Sequence, residues 1–384
     1  MRGRAAAVLV ALAVGCGPAP APAPVANRGA TTPPPVAVVA VLSMTGELGT
    51  FGQSIERGAR LAAQQLAVDV DSGRRPGPAI ELTTVDDGGR PADAAAALAA
   101  ALAGHPAVAV IGSTTSAVSL ALAEAAAARG LPMIAPIATS AAVPAVGERV
   151  FAIALGDTAQ GRAAAAFAHD VLRAQRQVVV VDEQSSYSLA LARGFAERAD
   201  LVSSLAALVP LSGGAAPAVN AVAAARADVV FAPTYYADAP ALVAGLRAAG
   251  VTAPVVGGDG WDSDQLVADG GAALDGCYHL GHFALDDPAP AVRAFVADYQ
   301  RAHGVPPDAL AALGFDAVGV LHDALARAPG ATGAELAAAL AATRGFPGVA
   351  GDLGFDADRQ ARKSAVVMAI TGGQRRFARR IAAQ

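Results

Sequence analysis

From Val36 onward, short runs of Val and Ile alternate with longer Ala-rich stretches, and the alternation starts afresh near Arg176. "VAVVAVLS" (Val36–Ser43), "AIELTTVDD" (Ala79–Asp87), "AVAVIGS" (Ala107–Ser113) and "PMIAP" (Pro132–Pro136) read as buried strands, with "RVFAIAL" (Arg149–Leu155) behind them. Between them the spacing predicts helices over about Gln53–Leu66, over Pro91–Ala103 and after Ser116, with Pro91 well placed in a first helical turn. The second series has "RQVVVVDEQ" (Arg176–Gln184), a helix over Ser188–Ala199, "ADVVFAPTYY" (Ala227–Tyr236), a helix to Ala249 and "APVVGGDGW" (Ala253–Trp261). Strands that are apolar without interruption, each followed by a helix, predict parallel sheets covered on both faces. Two such series predict an α/β chain of two doubly wound lobes.

Length agrees, since 384 residues suit two domains of ordinary size. The hydrophobic fraction of 54% is mostly alanine. Past the N-terminus we find no run near the roughly 18–20 apolar residues that span a bilayer, so the mature chain is expected to be soluble. A net charge of −5, scattered arginines and one lysine, Lys363, offer no basic stripe for a phosphate backbone, and nucleic acid is not an expected partner.

The first sixteen residues read as a processing signal: Arg2 and Arg4, then an apolar core from Ala5 to Val14, then Gly15-Cys16. "LAVGC" resembles a bacterial lipoprotein signal, which implies a lipidated Cys16 and a membrane anchor, although Ala13 stands where leucine is usual. An ordinary secretory signal is the other reading, and both imply export. Residues 17–35 are nearly all Pro, Ala, Thr and Gly, the composition of an extended linker. Beyond it Cys277 is the only thiol, so the folded part has no internal disulfide and must be held by packing.

In doubly wound sheets ligands bind outside the carboxyl ends of the strands. There the chain repeatedly places glycines, hydroxyls, aromatics and carboxylates: "MTGELGTFGQ", "GSTTS", "PIATS", "DEQSSYS", "PTYYAD" and "GGDGWDS". Together they describe a polar pocket with apolar walls. Ser113 to Ser116 fall at a helix start, where free backbone N–H groups favour an anion such as a ligand carboxylate. One of the four is equally suited to capping the helix without any ligand.

Along nearly its whole mature length the chain resembles the type I periplasmic binding proteins, specifically the leucine/isoleucine/valine-binding proteins of ABC importers. The resemblance is carried by "VLSMTGELGTFGQSIERGARLAAQQL", "VAVIGSTTSAVSLALAEAAAARGLPMIAPIATS", "DEQSSYSLALARGFAE", "FAPTYYADAPALVAGLRAAGV", "VVGGDGW" and "FVADYQRAHGVPPDALAALGFDAVGVLHDALARA", in that order. It implies a Venus-flytrap of two Rossmann-like lobes joined by a hinge, a monomer without cofactor or catalytic activity, and delivery of an amino acid to an ABC transporter permease. It implies that Ser116 and Thr139 hold the ligand carboxylate with backbone help from Ile137 and Ala138. Asp259 with Tyr187 or Tyr235 would meet the ammonium, and Phe51 would wall the side chain. Phe51 stands where tyrosine is frequent, Ser188 follows Tyr187 where glycine is usual, and "APT" precedes Tyr235 where glycines are usual, which points to a reshaped pocket. The expected organisation is residues 36–156 plus 283–328 in the first lobe and 157–282 plus 329–384 in the second, with crossings near Leu155–Asp157, Leu280–Ala284 and Ala328–Gly330.

Other chemistries fit less well. Cys277, His279 and His282 in "CYHLGH" are soft metal ligands, but on a strand the third points away from the other two and no fourth ligand is fixed. No G-x-S-x-G elbow supports a serine hydrolase. Asp86-Asp87 before two glycines suits a strand-end turn. The reading is therefore a receptor for a branched-chain or other small apolar amino acid. Its rivals are a regulatory lipoprotein of the same fold that acts through protein contacts, and a receptor for an amide, urea or aromatic acid.

Overall fold

A computed structural model describes residues 33–104, 106–202, 204–211 and 214–382; the expected signal, Cys16 and the linker as far as residue 32 lie outside the described residues. The first sheet holds β1 (Val36–Leu42), β2 (Ile80–Asp86), β3 (Ala109–Gly112), β4 (Met133–Ala135) and β5 (Val150–Ala152), all parallel, in the order β2-β1-β3-β4-β5. Successive residues of β1 point to opposite faces, and both faces are covered. Val38, Ala40 and Leu42 share one core with Ile55 and Ala59 of α1 (Gly49–Asp71), while Val39 and Val41 join Leu98 of α2 (Pro91–Gly104) and Leu122 of α3 (Ser116–Ala127). Burial on both sides is why the strand reads as an uninterrupted apolar run.

The second sheet repeats the scheme with β6 (Gln177–Val181), β7 (Leu205–Pro210), β8 (Val229–Phe231), β9 (Val255–Gly257) and β10 (Tyr278–Gly281). Val179 and Val181 face α4 (Asp157–Ala166) and α5 (Ser186–Asp200); Val178 and Val180 face α6 (Ala215–Ala225) and α7 (Ala239–Ala248), beside which lies α8 (Asp264–Gly270).

Crossing back to the first lobe, the chain forms α9 (Pro290–His303) and α10 (Ala309–Arg327). Among the described helices α10 alone is long and apolar enough to cross a membrane by length and composition, although Asp316, His322 and Asp323 interrupt its apolar run. Its Leu313, Ala317 and Leu321 are instead part of the first lobe's core. It lies close against α1 because Gly58 and Gly314 carry no Cβ; a Cβ at either would overlap the carbonyl of Ala311 or Ile55 respectively.

Here the structure corrects the expected boundary at residue 328. The chain stays in the first lobe through α11 (Gly333–Ala341) and a small antiparallel sheet of β11 (Phe346–Gly348), β12 (Gly351–Phe355) and β13 (Ala361–Arg362). Leu336, Leu340, Leu353, Phe355 and Ala361 belong to the same core as Val38, and the Phe355 ring meets Phe151 of β5 edge-on at 4.9 Å. Apolar burial keeps residues 329–361 there. Only then does the chain enter β14 (Ala365–Thr371) and β15 (Gln374–Ile381), which extend the second sheet as an antiparallel hairpin, giving the order β15-β14-β10-β9-β8-β6-β7.

Among the described residues three crossings therefore connect the lobes. The first runs from Ala154, in the first core, to Leu155, in the second; another follows Gly281 and reaches Phe283 of the first core; the third separates Ala361 from Ala365. First and third lie side by side: the Ala152 N–H donates to the Arg359 carbonyl at 3.1 Å, Ala152 bridges to Gln360, and a Cβ at Gly156 would overlap the Gln360 side chain.

Candidate ligand-binding site

Between the lobes, against these crossings, lies a cleft of about 990 Å³. Ser116, Thr139 and Leu120 line it from the first lobe, Tyr187, Tyr235 and Ala190 from the second, and Asp157 and Gln360 from the crossing segments. The four hydroxyls at the start of α3 divide their work. Ser113 donates to Asp87 at 2.5 Å, Thr114 accepts the Ser43 N–H at 2.8 Å, and Thr115 caps the helix by accepting the Val118 N–H at 3.3 Å. Of the four, Ser116 is the one that lines the cleft, its Oγ accepting the Ser140 N–H at 3.4 Å. Asp86 and Asp87 tie the neighbouring loops together by accepting from Met44, Thr45, Gly88 and Ser43, Ser113, Gly89.

On the other side Tyr187 and Tyr235 stack with ring centres 4.8 Å apart. The Tyr187 hydroxyl donates to Asp259 Oδ1 at 2.8 Å and accepts the Gly260 N–H at 2.8 Å. Asp259 Oδ2 lies 3.0 Å from His282 Nε2, and the Asp259 N–H donates to Gln160 Oε1 at 3.2 Å. Burial disfavours this carboxylate, but His282, Tyr187 and Gln160 outweigh it and hold Asp259 below the usual carboxylate range. Burial, reinforced by Asp259, pushes the Tyr187 phenol well above its ordinary value.

Sequence reasoning missed Asp157. It begins α4 just past the first crossing, lines the cleft and is 7% exposed. Burial first, and then the charge of Asp259, push its carboxyl up to about 7, partly offset by a hydrogen bond from Thr139. Its Oδ1 is buried without a hydrogen-bond partner among the described residues. An uncompensated buried acceptor beside a cleft is costly unless something occupies the cleft and donates to it. The signal was present: "LGDTAQG" is another carboxylate just past a strand, the same position searched after the other strands.

The remaining expected residues lie elsewhere. Ala138 is fully buried beneath the cleft, Ile137 packs on the first core, and Phe51 is 46% exposed near the start of α1, outside the cleft lining. Cys277 sits 3.4 Å from Arg247 and His279 Nδ1 faces the Leu280 carbonyl, so the soft ligands of "CYHLGH" are turned to separate partners.

Comparison with known proteins decides the family. The family described as periplasmic binding protein matches residues 35–374. This chain belongs to that family. Membership makes it a binding protein rather than an enzyme and implies export, and within the family it is similar to Leu/Ile/Val-binding proteins and to substrate-binding proteins of branched-chain amino acid transporters. It is similar to Leu/Ile/Val-binding protein homolog 3 of Brucella melitensis biotype 1, 25% identical over 81% of this chain and 84% of that protein. A leucine-binding protein of Thermotoga maritima MSB8 superposes with a TM-score of 0.73 at 29% identity, covering 90% of this chain and 99% of that one. A branched-chain amino acid transporter substrate-binding protein of Streptococcus pneumoniae, solved with isoleucine, gives 0.71 at 25% identity over 90% of this chain and 99% of that one.

Proposed function

We propose that this protein captures an α-amino acid with a branched-chain or other small apolar side chain between its lobes and delivers it to the permease of an ABC importer. The observation that carries this reading is the polarity of one cleft, with the Ser116 hydroxyl on the first-lobe side and, at the first crossing, the Asp157 carboxyl, which takes a hydrogen bond from Thr139 and feels the charge of Asp259. Hydroxyl and backbone donors suit the ligand carboxylate, Asp157 suits its ammonium, and charge-assisted hydrogen bonds give both ends strength. Ala117, Leu120, Ala142 and Ala145 supply an apolar wall in place of the expected Phe51. Closure about the crossings follows if the ligand binds the closed form better than the open one. A lipidated Cys16 would tether the receptor to a membrane by acyl chains, each buried methylene adding about 0.8 kcal/mol.

The test is a thermal-shift panel of common amino acids, amides and aromatic acids on protein refolded to remove carried ligand. Ligand at a hundred times its Kd adds about 2.7 kcal/mol to stability. A rise with leucine, isoleucine or valine supports the reading. A rise only with ligands lacking an ammonium group, or a flat panel from folded protein, overturns it in favour of an acid or amide receptor, or of a regulator working through protein contacts.

A further inference from the structure

His282 stands in the second crossing, with its side chain 10% exposed and its Nε2 at 3.0 Å from Asp259 Oδ2. An ionised carboxylate only accepts, so Nε2 carries the proton of this contact. The other oxygen of Asp259 is held by Tyr187, and both holders are themselves fixed: Tyr187 by the Gly260 N–H and by stacking on Tyr235, His282 by its place in the chain between the lobes. Asp259 thus has both oxygens occupied by the protein, whereas Asp157, which feels its charge, has a buried oxygen without a partner.

We propose that His282 is a positioning residue for ligand capture: by holding Asp259 on the second-lobe side it leaves Asp157 as the carboxylate that meets the ligand ammonium. The proposal rests on the amino-acid reading of the cleft. Two carboxylates that feel each other's charge titrate as a pair, and whichever is better supplied with donors keeps its charge while the other carries the proton. His282 and Tyr187 supply Asp259, and Thr139 alone supplies Asp157. Tyr187 from α5, Tyr235 from the loop after β8 and His282 act on this pair, and the cleft around Asp157 is also lined by Arg162 of α4, Arg193 of α5 and, near the third crossing, Arg359, Arg362 and Lys363. Further off are buried His279 of β10 and Asp262, which is paired with Arg375 of β15. An arriving ammonium displaces the proton of Asp157 at the first crossing, beside Thr139, whose hydroxyl donates to that carboxyl. Because His282 lies in a crossing, the charge arrangement of the ligand site is anchored to the segment that joins the lobes.

Calorimetric titration of leucine between pH 6 and 8.5 tests this on wild type, His282→Ala, His282→Gln and His282→Asn. Wild type is expected to bind more tightly as pH rises and to release protons on binding, read as a dependence of the heat on buffer ionisation. His282→Ala should let Asp259 take up the shared proton, so that Asp157 ionises at lower pH and the pH profile of binding moves downward by about one pH unit, a change of about tenfold in affinity at a fixed pH below 7. His282→Gln, whose amide N–H can reach the place of Nε2, should restore the wild-type profile, and the shorter His282→Asn should behave like alanine. Coincident profiles for wild type and His282→Ala would overturn the proposal and leave the amino-acid reading standing. Absence of any amino-acid binding by folded wild type would overturn both.

Discussion

The charge of Asp259 reaches Asp157 beside the first chain crossing, and the two carboxyls are pushed in opposite directions: burial and its neighbour's charge raise Asp157 to about 7, while hydrogen bonds and His282 hold Asp259 below the usual carboxylate range. A carboxyl raised on folding favours the native state while it is protonated and opposes it once ionised. The ligand-free protein should therefore lose stability between about pH 4 and pH 7, by at most roughly 4 kcal/mol from this group. Asp157→Asn should remove that slope in urea unfolding, raise stability at pH 8 and weaken amino-acid binding by tenfold or more. An unchanged slope would mean that the carboxyl is not raised.

Ser116 and Thr139 should separate by their pH behaviour. Each lost hydrogen bond to a charged ligand group is worth roughly 1.5–3 kcal/mol, so Ser116→Ala and Thr139→Val should each raise the Kd by at least about tenfold. The single O–H of Thr139 goes to Asp157 and its oxygen is left to accept, so its replacement should push that carboxyl higher and move the pH profile of binding, which Ser116→Ala leaves in place. Titrations at three pH values read the difference.

Helix contacts without side chains make two glycines in each lobe sensitive. Gly58 and Gly314 bring α1 against α10, and Gly161 and Gly194 bring α4 against α5, each leaving no room for a Cβ. Gly58→Ala and Gly194→Ala should each cost about 1–3 kcal/mol and lower the melting temperature by several degrees. Gly194→Ala should in addition weaken ligand binding, because α4 carries Asp157. Differential scanning calorimetry with and without ligand separates the two effects.

Phe355→Ala tests the corrected lobe boundary. Its ring is 2% exposed and seated on Phe151, so its loss should cost about 3–5 kcal/mol. Hydrogen exchange should show the loss of protection in β1 to β5 rather than in β6 to β10.

Much of the fold was legible because doubly buried parallel strands leave an unmistakable record: β1, β3, β6 and β8 are plain in the chain as runs of Val, Ile and Ala. Edge and hairpin strands were harder. In β7 buried and exposed positions alternate, and β15 carries four arginines on an exposed edge, so neither reads as a core strand. The third boundary was misplaced because α11, "GAELAAALA", has the Ala-rich composition of helices in either lobe, and only the meeting of Leu336 and Leu340 with the first core decides its place. In the site, residues just past strands were findable one at a time. That Asp259 is already engaged by His282, 23 positions away, depends on tertiary approach and has no local signature.

The pairing of Ala152 with Gln360 and the absence of a side chain at Gly156 have a mechanical meaning. The segments that lead into two of the three connections are tied backbone to backbone, so both connections leave the first lobe side by side from one fixed point. Such a joint permits twisting and folding about its own axis while opposing sideways slip. Any residue at position 156 larger than glycine would have to push the amide end of the Gln360 side chain out of its seat between the two segments.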